Sequence, residues 1–83
     1  MLKFTYTKPN GDISERVGLV VRKPTDNYSI LDITDLDDNE RAAVVENYRI
    51  YLEDEKQLRD DLLLNSFWKN FKSERMTDLS ELK

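Results

Sequence analysis

The stretch LKFTYTKPNGDISERVGLVV, residues 2–21, decides the fold. Phe4 and Tyr6 alternate with Lys3, Thr5 and Thr7, the two-residue period of a half-buried strand. Asn10-Gly11 lies inside the turn Lys8-Pro9-Asn10-Gly11-Asp12, and both residues tolerate the positive φ that a tight reversal demands. The return strand from Ile13 puts Val17, Leu19 and Val21 on one face and Arg16, Gly18, Val20 and Arg22 on the other. A lone hairpin is marginal in water, so the rest of the chain is expected to pack on this ribbon.

Downstream, Lys23-Pro24-Thr25-Asp26-Asn27 reads as a loop, because proline disfavours helix at the residue before it. A third strand is expected over residues 28–33, apolar on both faces near its middle, which suits the inside of a small curved sheet. Asp37 is the expected cap of a helix, and Glu40 completes a capping box. Val44, Val45, Tyr48, Tyr51, Leu52, Leu58, Leu62 and Leu63 then recur at spacings of three and four, with no Gly or Pro to interrupt them. The spacing predicts one amphipathic helix over about residues 38–64, with pairs Arg49–Glu53, Glu55–Arg59 and Glu46–Arg49 on its polar side. Such a helix runs ~40 Å, against a radius of gyration of ~12 Å for a domain of this size, so it overhangs the sheet, bends or breaks. An overhang would bare Leu58, Leu62 and Leu63 to a protein partner or to a homodimer through the 38–64 helix. Over residues 65–76, a continued helix and a returning strand fit Phe67, Trp68 and Phe71 about equally.

The 83 residues suffice for a single domain over residues 1–83, and the 36% charged content against 39% hydrophobic leaves much of the chain as solvated surface. A net charge of −4 argues against general affinity for phosphate backbones but leaves room for a local basic patch. The acidic excess is concentrated: residues 35–64 hold ten acids against four bases, whereas residues 1–34 hold five bases against four acids. The absence of cysteine removes disulfides, thiolate nucleophiles and cysteine zinc sites, and suits a reducing compartment. With no apolar run near the ~20 residues of a bilayer span and no signal-like N-terminus, a soluble cytoplasmic protein is expected.

No catalytic or metal motif stands out. Asp35-x-Asp37-x-Asn39 with Glu46 matches part of a calcium loop, but Glu40 stands where the loop needs glycine, and helix capping accounts for the same acids. Neighbouring carboxylates such as Asp54-Glu55 and Asp60-Asp61 diverge by about 100° on a helix, and there is no histidine to act as a base. No enzymatic activity and no cofactor are therefore expected. Arg16, Arg22, Lys23, Trp68, Lys69, Lys72 and Arg75 would meet if the C-terminal segment pairs with the hairpin, setting cations beside aromatic rings as a platform for bases. The commoner arrangement puts Trp68 and Phe71 in the core with the cations on its rim.

Phe4-x-Tyr6, Gly11 followed by Arg16-Val17, a strand led by Tyr28, and Phe71-Lys72-Ser73-Glu74-Arg75-Met76 together resemble the WYL domain. The likeness covers about residues 2–33 and 68–80. Tyr28-Ser29-Ile30 falls at the name-giving triplet, and the 38–64 helix replaces a short connection. The resemblance implies a small SH3- or Sm-like β-barrel with a regulatory role, binding a nucleotide or single-stranded nucleic acid through basic residues. By position it implies that Arg16, Tyr28 and Arg75 line the ligand face, with Phe71 as support. The expected architecture is α+β: a small, strongly bent antiparallel sheet with one long amphipathic helix between the third and last strands. The expected function is a non-enzymatic WYL-like module recognising an anionic, nucleotide or nucleic-acid-like ligand. The alternative is a small acidic interaction or inhibitor protein acting through its long helix, with no small-molecule ligand.

Overall fold

The computed structural model describes residues 1–22 and 26–82, so residues 23–25 of the expected loop, Lys23 among them, lie outside the described residues. The hairpin forms as expected from β1 (Leu2–Thr7) and β2 (Ile13–Arg22), with Thr7 opposite Ile13. Its five-residue loop is closed by the Lys8 amide donating to the Asp12 carbonyl at 2.7 Å and the Gly11 amide to the Lys8 carbonyl at 2.9 Å. Gly11 takes φ of 91°, a region that strains residues bearing a Cβ. There follow β3 (Asn27–Asp32), α1 (Asp38–Ile50), α2 (Glu55–Asp60), α3 (Leu62–Phe67), β4 (Trp68–Lys72), one 3₁₀ turn (Ser73–Arg75) and β5 (Met76–Glu81).

The strands form one antiparallel sheet in the order β4-β3-β2-β1-β5. A flat sheet of five strands would hold its edges ~19 Å apart, yet the four Cα steps from Lys72 to Met76 reach at most ~15 Å. The sheet must therefore curl until β4 and β5 approach each other at this end. The aromatic rings agree: Phe71 of β4 meets Phe4 and Tyr6 of β1 edge-on at 5.2 and 4.9 Å, although two strands lie between them. Among the described strands the sheet stays open, with β4 and β5 as its two edges, so the architecture is a curled sheet and not a closed ring of strands.

Two cores follow from the two faces. Phe4, Ile30, Phe71 and Met76 fill the concave side, with Leu2, Tyr6, Val20 and Tyr28 around them. Leu31, Ile33, Val44, Leu58 and Leu64 fill the side covered by helices, joined by Val17, Leu19 and Val21. Ile30 and Leu31 point to opposite faces and are both fully buried, as the doubly apolar third strand predicts. Each such side chain contributes roughly 1.5–3 kcal/mol by leaving water.

The single long helix does not form; three short helices lie between β3 and β4. α1 begins as read, with Asp37 accepting from the Glu40 amide and Glu40 completing the capping box. It ends at Tyr51, whose amide donates to the Tyr48 carbonyl in a tightened last turn. Asp54 then caps α2 through the Gln57 amide, and Asp61 caps α3 through the Leu63 and Leu64 amides. Aspartate favours such caps because its short carboxylate competes for backbone donors. The breaks turn Leu58 and Leu64 back onto the sheet, where both are buried, whereas an unbroken helix would have carried them past a body only 35 Å long. The anticipated overhang is thus replaced by a folded-back layer that leaves Ile50, Leu52 and above all Leu62 exposed. Residues 65–76 are split between the two readings: Phe67 closes α3 and Trp68 opens β4.

Among the described ion pairs, the helices show Lys56–Asp60 and Arg22–Glu55 in place of the three pairs expected from spacing. Arg59 instead lies over the Trp68 ring at 5.2 Å.

Candidate anion-binding cleft

Curling the sheet brings the end of β2, the start of β3, the end of β4 and the 3₁₀ turn into one neighbourhood. A cleft of about 660 Å³ opens there, lined by Tyr6, Pro9, Arg22, Asn27, Ser29, Asn70, Lys72 and Arg75. Arg22 reaches it from the end of β2, where the β2–β3 register shifts after Val20. Lys72 ends β4 and Arg75 ends the 3₁₀ turn. Ser29 is buried and donates its hydroxyl to Asn70 Oδ1 at 2.9 Å, which leaves the Asn70 amide nitrogen to serve another acceptor.

The lining holds three cations and no carboxylate. Arg22 Nη2 has Glu55 Oε1 at 3.5 Å across a half-exposed surface; among the described residues Lys72 and Arg75 form no ion pair. Three like charges in one cleft favour an anion, because each would exchange mutual repulsion for charge-assisted hydrogen bonds. To an anion the lining offers the Arg22 and Arg75 guanidinium groups, the Lys72 ammonium and the Asn70 amide as donors.

The four residues expected to face a ligand fall in different places. Arg75 lines the cationic cleft. Tyr28 lines a second opening, about 480 Å³, with Leu2, Val20, Leu79, Ser80 and Glu81. Phe71 stands directly opposite Tyr28 in register and is buried in the concave core. Arg16 lines neither opening: its Nη1 donates to Asp32 Oδ2 at 3.0 Å and its Nε to Ser14 Oγ at 3.1 Å. The structure therefore brings Tyr28 and Phe71 together and places Arg16 apart from Arg75.

Asp32 is the hub of the Arg16 cluster. Its side chain is 4% exposed and also accepts from Lys69 Nζ at 3.4 Å and from both the amide and the hydroxyl of Thr34. Burial alone would raise its pKa, but the Thr34 hydrogen bonds, then the charges of Arg16 and Lys69, outweigh burial and hold the carboxyl below its usual range. An aspartate in an otherwise apolar strand, with an arginine on the neighbouring strand, was the available sign of this pair. Elsewhere, burial raises the Tyr48 phenol, whose hydroxyl donates to the Val20 carbonyl at 3.2 Å and ties α1 to β2.

Asn27, Ser29 and Asn70 carry no motif and become site residues only through strand register. Arg22 and Lys72 belonged to the basic set legible in the sequence, and no positional likeness singled them out. The partial calcium pattern is spent on structure, since Asp37 accepts from the Glu40 amide. Among the described residues, no group of three or more His, Cys, Asp or Glu is placed to hold a metal ion. No described helix is long and apolar enough to cross a membrane. No family model matches the chain, and neither curated proteins nor solved structures give a match.

Proposed function

We propose that this chain is a non-enzymatic binding or regulatory module of WYL-like character, working in the cytoplasm and recognising an anionic ligand of the nucleotide or nucleic-acid type. The observation that carries the reading is the convergence of Arg22, Lys72 and Arg75 on one cleft free of carboxylates. The strand order and the 3₁₀ turn between the edges support a reading of the curled sheet as an incompletely closed SH3- or Sm-like barrel. In this reading Arg75 keeps the role expected from the resemblance, Arg22 takes the place of Arg16, and Phe71 supports the cleft from within the core. Calorimetric titration with mononucleotides and short single strands at low salt is the test. Binding lost in Arg75→Ala and Lys72→Ala is the expected result, and no heat with any of these ligands removes the reading.

A second reading is favoured by Leu62, 92% exposed, within a helical layer rich in carboxylates. There the chain docks on a basic protein partner, or on a second copy of itself, through α1–α3. Charge reversal at Glu53 and Asp60 then abolishes the interaction with the fold intact. Asp54 is unsuited to that test, because its carboxylate caps α2. A monomer by light scattering at high concentration excludes the second copy.

A further inference from the structure

The cationic cleft does not end at Lys72. A second hollow, about 320 Å³, shares Asn27 and Lys72 with it and is lined further by Asp26, Ser73 and Glu74. The combined groove is thus dipolar, with Arg22 and Arg75 at one end, Asp26 and Glu74 at the other, and Lys72 lining both hollows where they meet. The two ends are held in fixed relation. The Asp26 carbonyl accepts from the Ser73 amide at 3.0 Å and from the Ser73 hydroxyl at 3.2 Å, which ties the start of β3 to the 3₁₀ turn carrying both Glu74 and Arg75.

We propose that this groove binds a guanine nucleotide unit, with the base toward Asp26 and Glu74 and the phosphate toward Arg22, Lys72 and Arg75. The inference rests on the anion-binding reading above and names the ligand class. A carboxylate presents two acceptors side by side. Guanine alone among the common bases presents two adjacent donors, N1–H and the N2 amino group, and so meets a carboxylate with two parallel hydrogen bonds. Uracil and thymine flank their single N–H with carbonyl oxygens that a carboxylate repels, while adenine and cytosine set one amino donor beside a ring acceptor. At the other end, guanidinium groups match phosphate oxygens in the same paired fashion. Tying Asp26 to the turn before any ligand arrives reduces the ordering cost of binding. The same unit can come as a free nucleotide or within a single strand.

The test is calorimetry on the full chain at low salt with GMP, IMP, UMP and inorganic phosphate, and with an eight-residue thymidine strand with or without one central dG. GMP is expected to bind about tenfold tighter than UMP, the discrimination typical of one good paired contact, with IMP intermediate because it lacks the N2 amino group. The double variant Asp26→Asn/Glu74→Gln, checked for native circular dichroism, abolishes the preference for GMP over UMP, whatever common gain in anion affinity follows from the lost negative charge, and the single variants show which carboxylate takes the base. With GMP tighter than UMP, preference for GMP over the dG strand identifies a free nucleotide, and a dG strand that outbinds both GMP and the plain thymidine strand identifies a strand. Equal affinity for GMP and UMP, with both lost in Arg75→Ala, overturns the guanine assignment and leaves the anion cleft standing. No binding of any phosphate compound overturns both.

Discussion

Replacing Asp32 by Ala removes the one carboxylate on which β2, β4 and the start of the helical segment converge. Asp32 Oδ2 takes Arg16 Nη1 at 3.0 Å and Lys69 Nζ at 3.4 Å, while Oδ1 takes the Thr34 amide at 3.1 Å together with the Thr34 hydroxyl. The substitution strands Arg16, whose side chain is 20% exposed, and an amide that has lost its acceptor. Breaking a buried pair of this kind costs about 3–5 kcal/mol. Because Lys69 is 54% exposed and recovers water at once, the lower end, about 3 kcal/mol, is expected. That is a large part of the ~4–12 kcal/mol a chain of this length is expected to have. Urea unfolding followed by Trp68 fluorescence measures it. With a slope near ~1 kcal/mol per molar for a small domain, the midpoint falls by ~3 M.

The pH dependence supplies an independent check. The folded-state pKa of Asp32 lies below the unfolded value near ~4. The unfolded chain therefore binds the proton first, and the stability Asp32 contributes is complete above the unfolded pKa and lost as pH falls through the folded one. The gap between wild type and Asp32→Ala should hold constant from pH 7 to 5 and narrow below pH 4. A loss under ~0.5 kcal/mol, the range of ordinary surface substitutions, or a gap unchanged down to pH 3, would refute the assignment of Asp32 as the pin of this junction.

Three further outcomes follow from the geometry. A Cβ at Gly18 would sit 2.2 Å from Ile30 Cγ2 and 2.9 Å from the Leu31 carbonyl oxygen, so Gly18→Ala should destabilise by about 1–3 kcal/mol, read as a lower thermal midpoint. Asp61→Ala removes the acceptor of two amides and Asp54→Ala the acceptor of one. Each should cost about 1 kcal/mol with Asp61 the larger, measured by denaturant unfolding, and equal wild-type stability in both would discount the caps as the cause of the helix breaks. Glu55→Gln releases Arg22 from its 3.5 Å partner and should tighten anion binding a few-fold, as expected for an exposed pair worth ~0.2–1 kcal/mol; weaker binding by calorimetry would mean that Arg22 does not serve the cleft.

The parts of the fold legible in the sequence were those set by local rules. The alternation at Phe4 and Tyr6, the Asn10-Gly11 turn and the Asp37–Glu40 box each act within a few residues, and each appears where it was read. The helix breaks were not legible from periodicity, because Asp54 and Asp61 are as compatible with a solvated helix face as with a cap. What decides between these is whether Leu58 and Leu64 can reach Leu31 and Ile33, a tertiary matter. That Arg16 lies apart from Arg75 has a related reason. A position shared with a family's basic residue says nothing about a carboxylate on the neighbouring strand, and Asp32 captures it. Arg75 lines the cleft because the 3₁₀ turn that carries it spans the short crossing from β4 to β5.

Net charge is the observation most at odds with an anion site, and distance resolves the conflict. At physiological ionic strength the Debye length is ~8 Å, so exposed charges farther off than this are largely screened. The ten acids of residues 35–64 belong to the segment between β3 and β4, and among the described ion pairs the helical carboxylate in contact with the cleft's cations is Glu55, beside Arg22. Acids of that segment more than a Debye length away act only weakly on an anion at the cleft, whereas Arg22, Lys72 and Arg75 act nearly in full. Lowering the salt should strengthen both influences, but the near cations gain less than the distant acids, since they were little screened to begin with. Affinity for a single strand should thus rise less steeply on dilution of salt than the slope of about −2 expected for three neutralised phosphates. A steeper slope in calorimetric titrations would place further cations at the interface and enlarge the site beyond these three residues.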